Sequence, residues 1–235
     1  MIWIVDNFLY IWKLRNPNAT TMKTDRKWIV VRIDGKIASV STDYRLLASI
    51  SASLANIPRD KDRRKRNRSG NGCLYESITA TAVGTDEVWK LKQETSWDDL
   101  MLFGTEFQKK VWRKLWELTH PEQDRARDPG QPSDKEAIRL ICYSDFAELC
   151  QNRAGVRAVA HAIGLNPVSV IIPCHLVIPK ESIDKIREIH RKAEATIFKG
   201  DDLCINSILS DSSIDFGEYA LGRELKREMI MRELA

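Results

Sequence analysis

Disulfides, membrane spans and metal-ligand clusters are what this sequence does without. Its five cysteines, Cys73, Cys142, Cys150, Cys174 and Cys204, are odd in number and scattered, with no C-x-x-C pair. A disulfide framework is therefore not expected, and a reducing compartment is. The apolar opening, residues 1–12, is interrupted by Asp6 and too short to cross a bilayer. It also lacks a basic leading region and a small-residue cleavage site, so a strand or hairpin is expected there. No Cys/His set in the first hundred residues has metal-ligand spacing, so no zinc is expected, and no motif asks for an organic cofactor. Charge of one sign is in only slight excess. A net charge of +4 and a pI near 8.8 permit an anionic partner such as nucleic acid without demanding one.

What is present is an ordinary globular balance, 43% hydrophobic and 30% charged over 235 residues, enough for one large domain or two modest ones. Residues 28–33 and 36–40 flank Asp34-Gly35, which predicts a hairpin with a type I′ turn. Leu46, Leu47, Ile50 and Leu54 have helical spacing, and residues 74–83 read as a further strand. The basic run at 59–68 is read as a solvated loop, with a phosphate-binding or nuclear-targeting role as the rival. Thr105 is placed to cap a helix whose apolar stripe is Phe107, Val111, Trp112, Leu115 and Leu118. Residues 120–133, rich in proline and charge, form a loop with a solvated His120.

From Tyr143 onward the pattern tightens. Ser144 can cap a short helix with Phe146, Ala147 and Leu149 inward; Asn152 to Gly155 make a turn; Val156, Val159, Ala160 and Ile163 line a second helix that Gly164 stops. Helix, short turn and helix is the helix-turn-helix pattern, although a plain helical hairpin is the commoner arrangement. A β-branched run then drives through Ile172-Pro173-Cys174-His175 into Val177 and Ile178. It delivers one thiol, with an imidazole behind it, into the interior. An amphipathic helix follows, with Ile183, Ile186, Ile189, Ala193 and Ile197 on one face, ended near Lys199 to Asp202. The last helix spans 223–234.

Taken together these motifs resemble the O6-alkylguanine-DNA alkyltransferases, the methylated-DNA–protein-cysteine methyltransferases. Gly104-Thr105-x-Phe107-Gln108-x-x-Val111-Trp112-x-x-Leu115 is similar to that family's opening helix. Arg157-Ala158-Val159 and Asn166-Pro167 stand at the family's distances before Pro173-Cys174-His175, and Tyr219, Gly222, Lys226 and Glu233 match its C-terminal segment. The resemblance implies an α+β chain. A small β-rich domain at 1–100 would precede a mainly helical DNA-binding domain at 101–235, with helix-turn-helix and acceptor loop. It implies that Cys174 accepts the alkyl group, His175 draws the thiol proton through a water, Glu233 orients the imidazole and Asn166 holds the turn. Arg157 would fill the space of the flipped nucleotide, Tyr143 would crowd the target phosphate, and Tyr219 would hydrogen-bond the guanine. Small residues, Gly155 and Ala160 among them, would let the second helix approach the sugar-phosphate walls. The implied partner is double-stranded DNA containing O6-alkylguanine. The protein would be a monomer, without membrane, metal or cofactor, intracellular: cytoplasmic in a bacterium, nuclear in a eukaryote.

The sequence departs from the family in four places. Leu176 replaces the usual Arg after Cys-His, Ala220 stands where some members have Ser, and residues 119–140 and 180–216 are long insertions. An alkyltransferase-like protein that binds the lesion without removing it is the alternative reading, and the presence of Cys174 argues against it. A Cys-His hydrolase is the third, and the chain advertises neither a third triad member nor an oxyanion hole.

Overall fold

Asp34 and Gly35 make the hairpin that their sequence predicts. Both have positive φ, 48° and 81°, as a type I′ turn requires, and glycine meets the second value without strain. The turn joins β1 (Trp28–Ile33) to β2 (Lys36–Ser41), and β3 (Ile78–Val83) pairs antiparallel with the other side of β1. The computed structural model describes residues 26–42, 77–120, 140–195, 211 and 213–234. The strand or hairpin expected at 1–12, the helix at 44–54, the basic run at 59–68, the turn at 199–202 and most of the loop at 120–133 lie outside them.

The chain divides into two compact units: Met1–Gly104 with Pro167–Ile171, and Thr105–Asn166 with Ile172–Ala235. In the first, the sheet has the order β2-β1-β3 and is followed by α1 (Thr85–Glu94). Residues 167–171 belong to this unit through β2. Val40 N donates to the Pro167 carbonyl at 3.0 Å, Ser169 N to the Val40 carbonyl at 3.0 Å, and Ser39 Oγ to the Pro167 carbonyl at 2.9 Å. Val168, Val170 and Ile171 are fully buried there.

The second unit is mainly helical, and the chain as a whole is α+β. Its helices are α2 (Glu106–Glu117), α3 (Tyr143–Leu149), α4 (Val156–Gly164), α5 (Lys180–Ala195) and α6 (Arg223–Leu234). Thr105 caps α2 as expected. Its hydroxyl accepts from Gln108 N at 3.2 Å while Gln108 Oε1 accepts from Thr105 N at 2.8 Å, which satisfies two otherwise orphaned donors. Val111, Trp112, Leu115 and Trp116 are buried, and Trp112 Nε1 donates to the Ala162 carbonyl at 2.8 Å, tying α2 to α4. A parallel pair, β4 (Ile141–Cys142) with β5 (Val177–Ile178), brings the start of α3 beside the stretch that follows Cys174. Cys142, Ile178, Ile183, Ile214, Phe216 and Ile230 form a buried cluster, with Ile186 and Ile189 packed against it. Among the described residues, no helix is long and apolar enough to cross a membrane.

Several local expectations are corrected. Phe107 and Leu149, expected inward, are 36% and 49% exposed, and Trp116 takes the buried place on α2. Cys142, not Ser144, occupies the N-cap of α3, because the chain arrives there from β4; Ser144 lies in the first turn. On α4, Ala162 is buried while Val156 and Ala160 are half-buried. Gly164 is the last residue of α4 and Leu165 its cap. His120 is half-buried and stacks on Trp116, with ring centroids 3.7 Å apart and planes 6° from parallel.

Candidate acceptor site

Pro173 bends the chain into the site. Its φ of −83° and ψ of 61° are those of an inverse γ-turn, closed by Cys174 N donating to the Ile172 carbonyl at 2.8 Å. A single 3₁₀ turn, Cys174–Leu176, follows and leads into β5. All three of its side chains are buried. Asn166 straps this bend from the end of α4. Its Nδ2 donates to the Ile172 carbonyl at 2.8 Å and to Cys174 Sγ at 3.0 Å, so one amide group serves both backbone and thiol. The Tyr219 hydroxyl reaches the same sulfur at 3.5 Å.

His175 faces away toward α6. Its Nε2 lies 3.1 Å from Glu233 Oε1, and both side chains are buried. A carboxylate only accepts, so Nε2 carries the hydrogen and Nδ1 is the basic nitrogen of the neutral ring. Tyr219 is held by its own loop. Gly217, at φ 82°, is the one residue type that fits there, since a Cβ would stand 3.0 Å from the Pro179 ring. Glu218 pairs with Arg223 across the loop.

The thiol is under opposed pressures. Burial pushes Cys174 above the ordinary thiol range, while the hydrogen bonds from Tyr219 and Asn166 and the charge of Lys226 pull it back. Lys226 is almost fully buried on α6; its Nζ donates to the Val177 carbonyl at 2.7 Å and to the Glu218 carbonyl at 3.4 Å. Burial lowers its pKa from 10.5 to about 8, and the negative charge available at Cys174 works the other way. Its Nζ also lies 5.7 Å from the centre of the Tyr143 ring. Burial, and then the neighbouring Cys174 and Glu218, raise the Tyr143 phenol.

The structure thus brings Cys174, Asn166 and Tyr219 together by hydrogen bonds, with His175 and Glu233 paired beside them and Tyr143 joined through Lys226. Arg157, Gly155 and Ala160 belong to the helix-turn-helix and share no hydrogen bond with that group. Arg157 is exposed and, among the described residues, makes no ion pair. Gly155 has an internal reason to be glycine: a Cβ there would collide with the side-chain amide of Asn152. Lys226 was legible as a match to the family pattern but not as a site residue. The signal was its place on the apolar face Leu225, Lys226, Met229, Ile230 and Glu233, where a buried cation needs a reason.

Residues 137–195 match the family model described as 6-O-methylguanine DNA methyltransferase, DNA binding domain. That stretch of the chain is similar to that domain. Among curated proteins similar to this chain, the Bacillus subtilis inducible methylated-DNA–protein-cysteine methyltransferase is 40% identical over 77 residues, 33% of this chain and 34% of its own. The Haemophilus influenzae enzyme of that name is 35% identical over 78 residues, with 33% and 34% covered. An Acanthamoeba polyphaga mimivirus protein named as a probable member is 38% identical over 84 residues, with 36% and 45% covered. The chain therefore spans less than half the length of each of these curated proteins. A solved O6-methylguanine methyltransferase from Mycobacterium tuberculosis aligns at 21% identity and a TM-score of 0.36 over 63% of this chain and 61% of that one.

Proposed function

We propose that this chain repairs DNA by direct, irreversible transfer of a methyl or other alkyl group from O6 of guanine to Cys174. One observation carries the reading: a buried cysteine sulfur accepts from Asn166 Nδ2 at 3.0 Å and meets the Tyr219 hydroxyl at 3.5 Å, beside a His175–Glu233 pair at 3.1 Å. The thiolate attacks the alkyl carbon; the S–C bond forms, the C–O6 bond breaks, and its electron pair leaves with guanine. The thiol proton passes through a water to His175 Nδ1, and Glu233 at Nε2 holds the ring and stabilises its charged form. Tyr219 stabilises the leaving guanine. The reaction consumes the acceptor, so the protein is reactant as well as catalyst.

The attacked carbon lies within a duplex, so the nucleotide must be extruded, at a cost of a few kcal/mol. Arg157 at the start of α4 fills the space it leaves, and Tyr143 crowds its phosphate. Double-stranded DNA is the partner, held mainly through its phosphates, and the protein is an intracellular monomer, cytoplasmic in a bacterium and nuclear in a eukaryote. The test is intact mass after incubation with an O6-methylguanine duplex, beside Cys174→Ser. A gain of one methyl on the native protein alone, ending at one equivalent, is expected. Lesion-selective binding without a mass change would overturn transfer in favour of lesion recognition alone.

A further inference from the structure

The Tyr219 hydroxyl sits between two sulfurs. Cys174 Sγ lies 3.5 Å away and Met229 Sδ 3.6 Å away, and Met229 is buried on α6. A phenol has one hydrogen and can donate to one of them at a time. We propose that Met229 tunes the reactivity of Cys174 by competing with it for the single hydroxyl hydrogen of Tyr219. The inference rests on the reading of Cys174 as the acceptor.

While Cys174 is a neutral thiol, Tyr219 donates to the Met229 thioether and its oxygen can accept the S–H. When the thiol ionises, the sulfur becomes the stronger acceptor and the hydroxyl turns to it, joining Asn166 Nδ2. The thiolate must therefore take that hydrogen from Met229, and the thioether holds the resting site on the protonated side. Once Cys174 carries an alkyl group it is a thioether too, and the two sulfurs compete as equals. Met229 makes no contact with the transferred group in this scheme. It is a positioning residue that acts through Tyr219.

The test measures iodoacetamide labelling of Cys174 against pH in the full-length chain, read by mass on the peptide that contains it. Wild type is compared with Met229→Leu, a nearly volume-conserving exchange, with Tyr219→Phe, and with the double variant. Removing the competing acceptor is expected to move the Met229→Leu profile to lower pH by roughly half a unit, about threefold faster labelling on its rising limb. Tyr219→Phe should move it upward, and the double variant should match Tyr219→Phe. A Met229→Leu profile that superimposes on wild type overturns the proposal. So does a shift that persists in the Tyr219→Phe background, which would mean simple repacking. Methyl uptake from an O6-methylguanine duplex is followed in parallel. Its failure in wild type would sink the acceptor role, while the labelling profiles would still decide the part played by Met229.

Discussion

Lys226 is the residue whose position most constrains its own chemistry. It is a cation inside the protein, answered by two carbonyls, and Cys174, once ionised, is the charge that acts on it most strongly. Its pKa in the fold, about 8, lies below the ordinary 10.5. Between those values the unfolded chain holds a proton that the folded chain has lost, so stability contributed at this site rises with pH across that window. Lys226→Met should abolish that rise, on the order of 1–3 kcal/mol, when denaturant midpoints of the two proteins are compared from pH 7.5 to 10.5. It should also push Cys174 labelling to higher pH, because the charge that favours the thiolate is gone. Cys174, His175 and Asn166 stood out in the sequence because their motif is contiguous or closely spaced. Lys226 and Met229 did not, because their meaning arises only when α6 is laid against the turn at Cys174.

Among the elements, α4 shows most directly how sequence patterning divides folding from function. Val159, Ala162 and Ile163 face inward, while Arg157, Ala158 and His161 are exposed. An arginine in the first turn of a helix opposes the macrodipole, so its presence there does not serve the helix. Arg157→Ala is accordingly expected to change the thermal midpoint by no more than about ±0.5 kcal/mol equivalent. Methyl transfer from duplex DNA should fall by at least about tenfold, and transfer from a single strand far less, since no base must be extruded there. Stopped-time mass analysis on both substrates would check this. Period and capping made α2, α4 and the β1–β2 hairpin legible in the sequence. Leu149 and Phe107 were misplaced because periodicity finds an apolar stripe without saying where its edge meets solvent. Ser144 was misplaced because a two-residue strand, β4, sets where α3 begins.

At the scale of the whole chain, the first unit includes residues 167–171, while their covalent neighbours Asn166 and Ile172 belong to the second. Nothing in the composition of those five residues announces that partition; it depends on backbone hydrogen bonds to β2. A fragment 105–235 would leave Val168, Val170 and Ile171 without the strand that buries them. The bond from Asn166 to Ile172 would then be the tie left across that segment. Such a fragment should label at Cys174 with a broadened, upward-shifted pH profile and melt at lower temperature than the full chain, as calorimetry would record. The β-sheet of the first unit has a different consequence, one for handling in solution. Among the described residues β3 is one of its two outer strands, Ile78-Thr79-Ala80-Thr81-Ala82-Val83, six residues with no charge and no proline. A neutral margin of that length is a template for a passing chain in extended form. Shelf life in concentrated solution would then be set by colloidal association along that rim, and a single lysine at the solvent-facing Thr81 is the gatekeeper that the sequence omits.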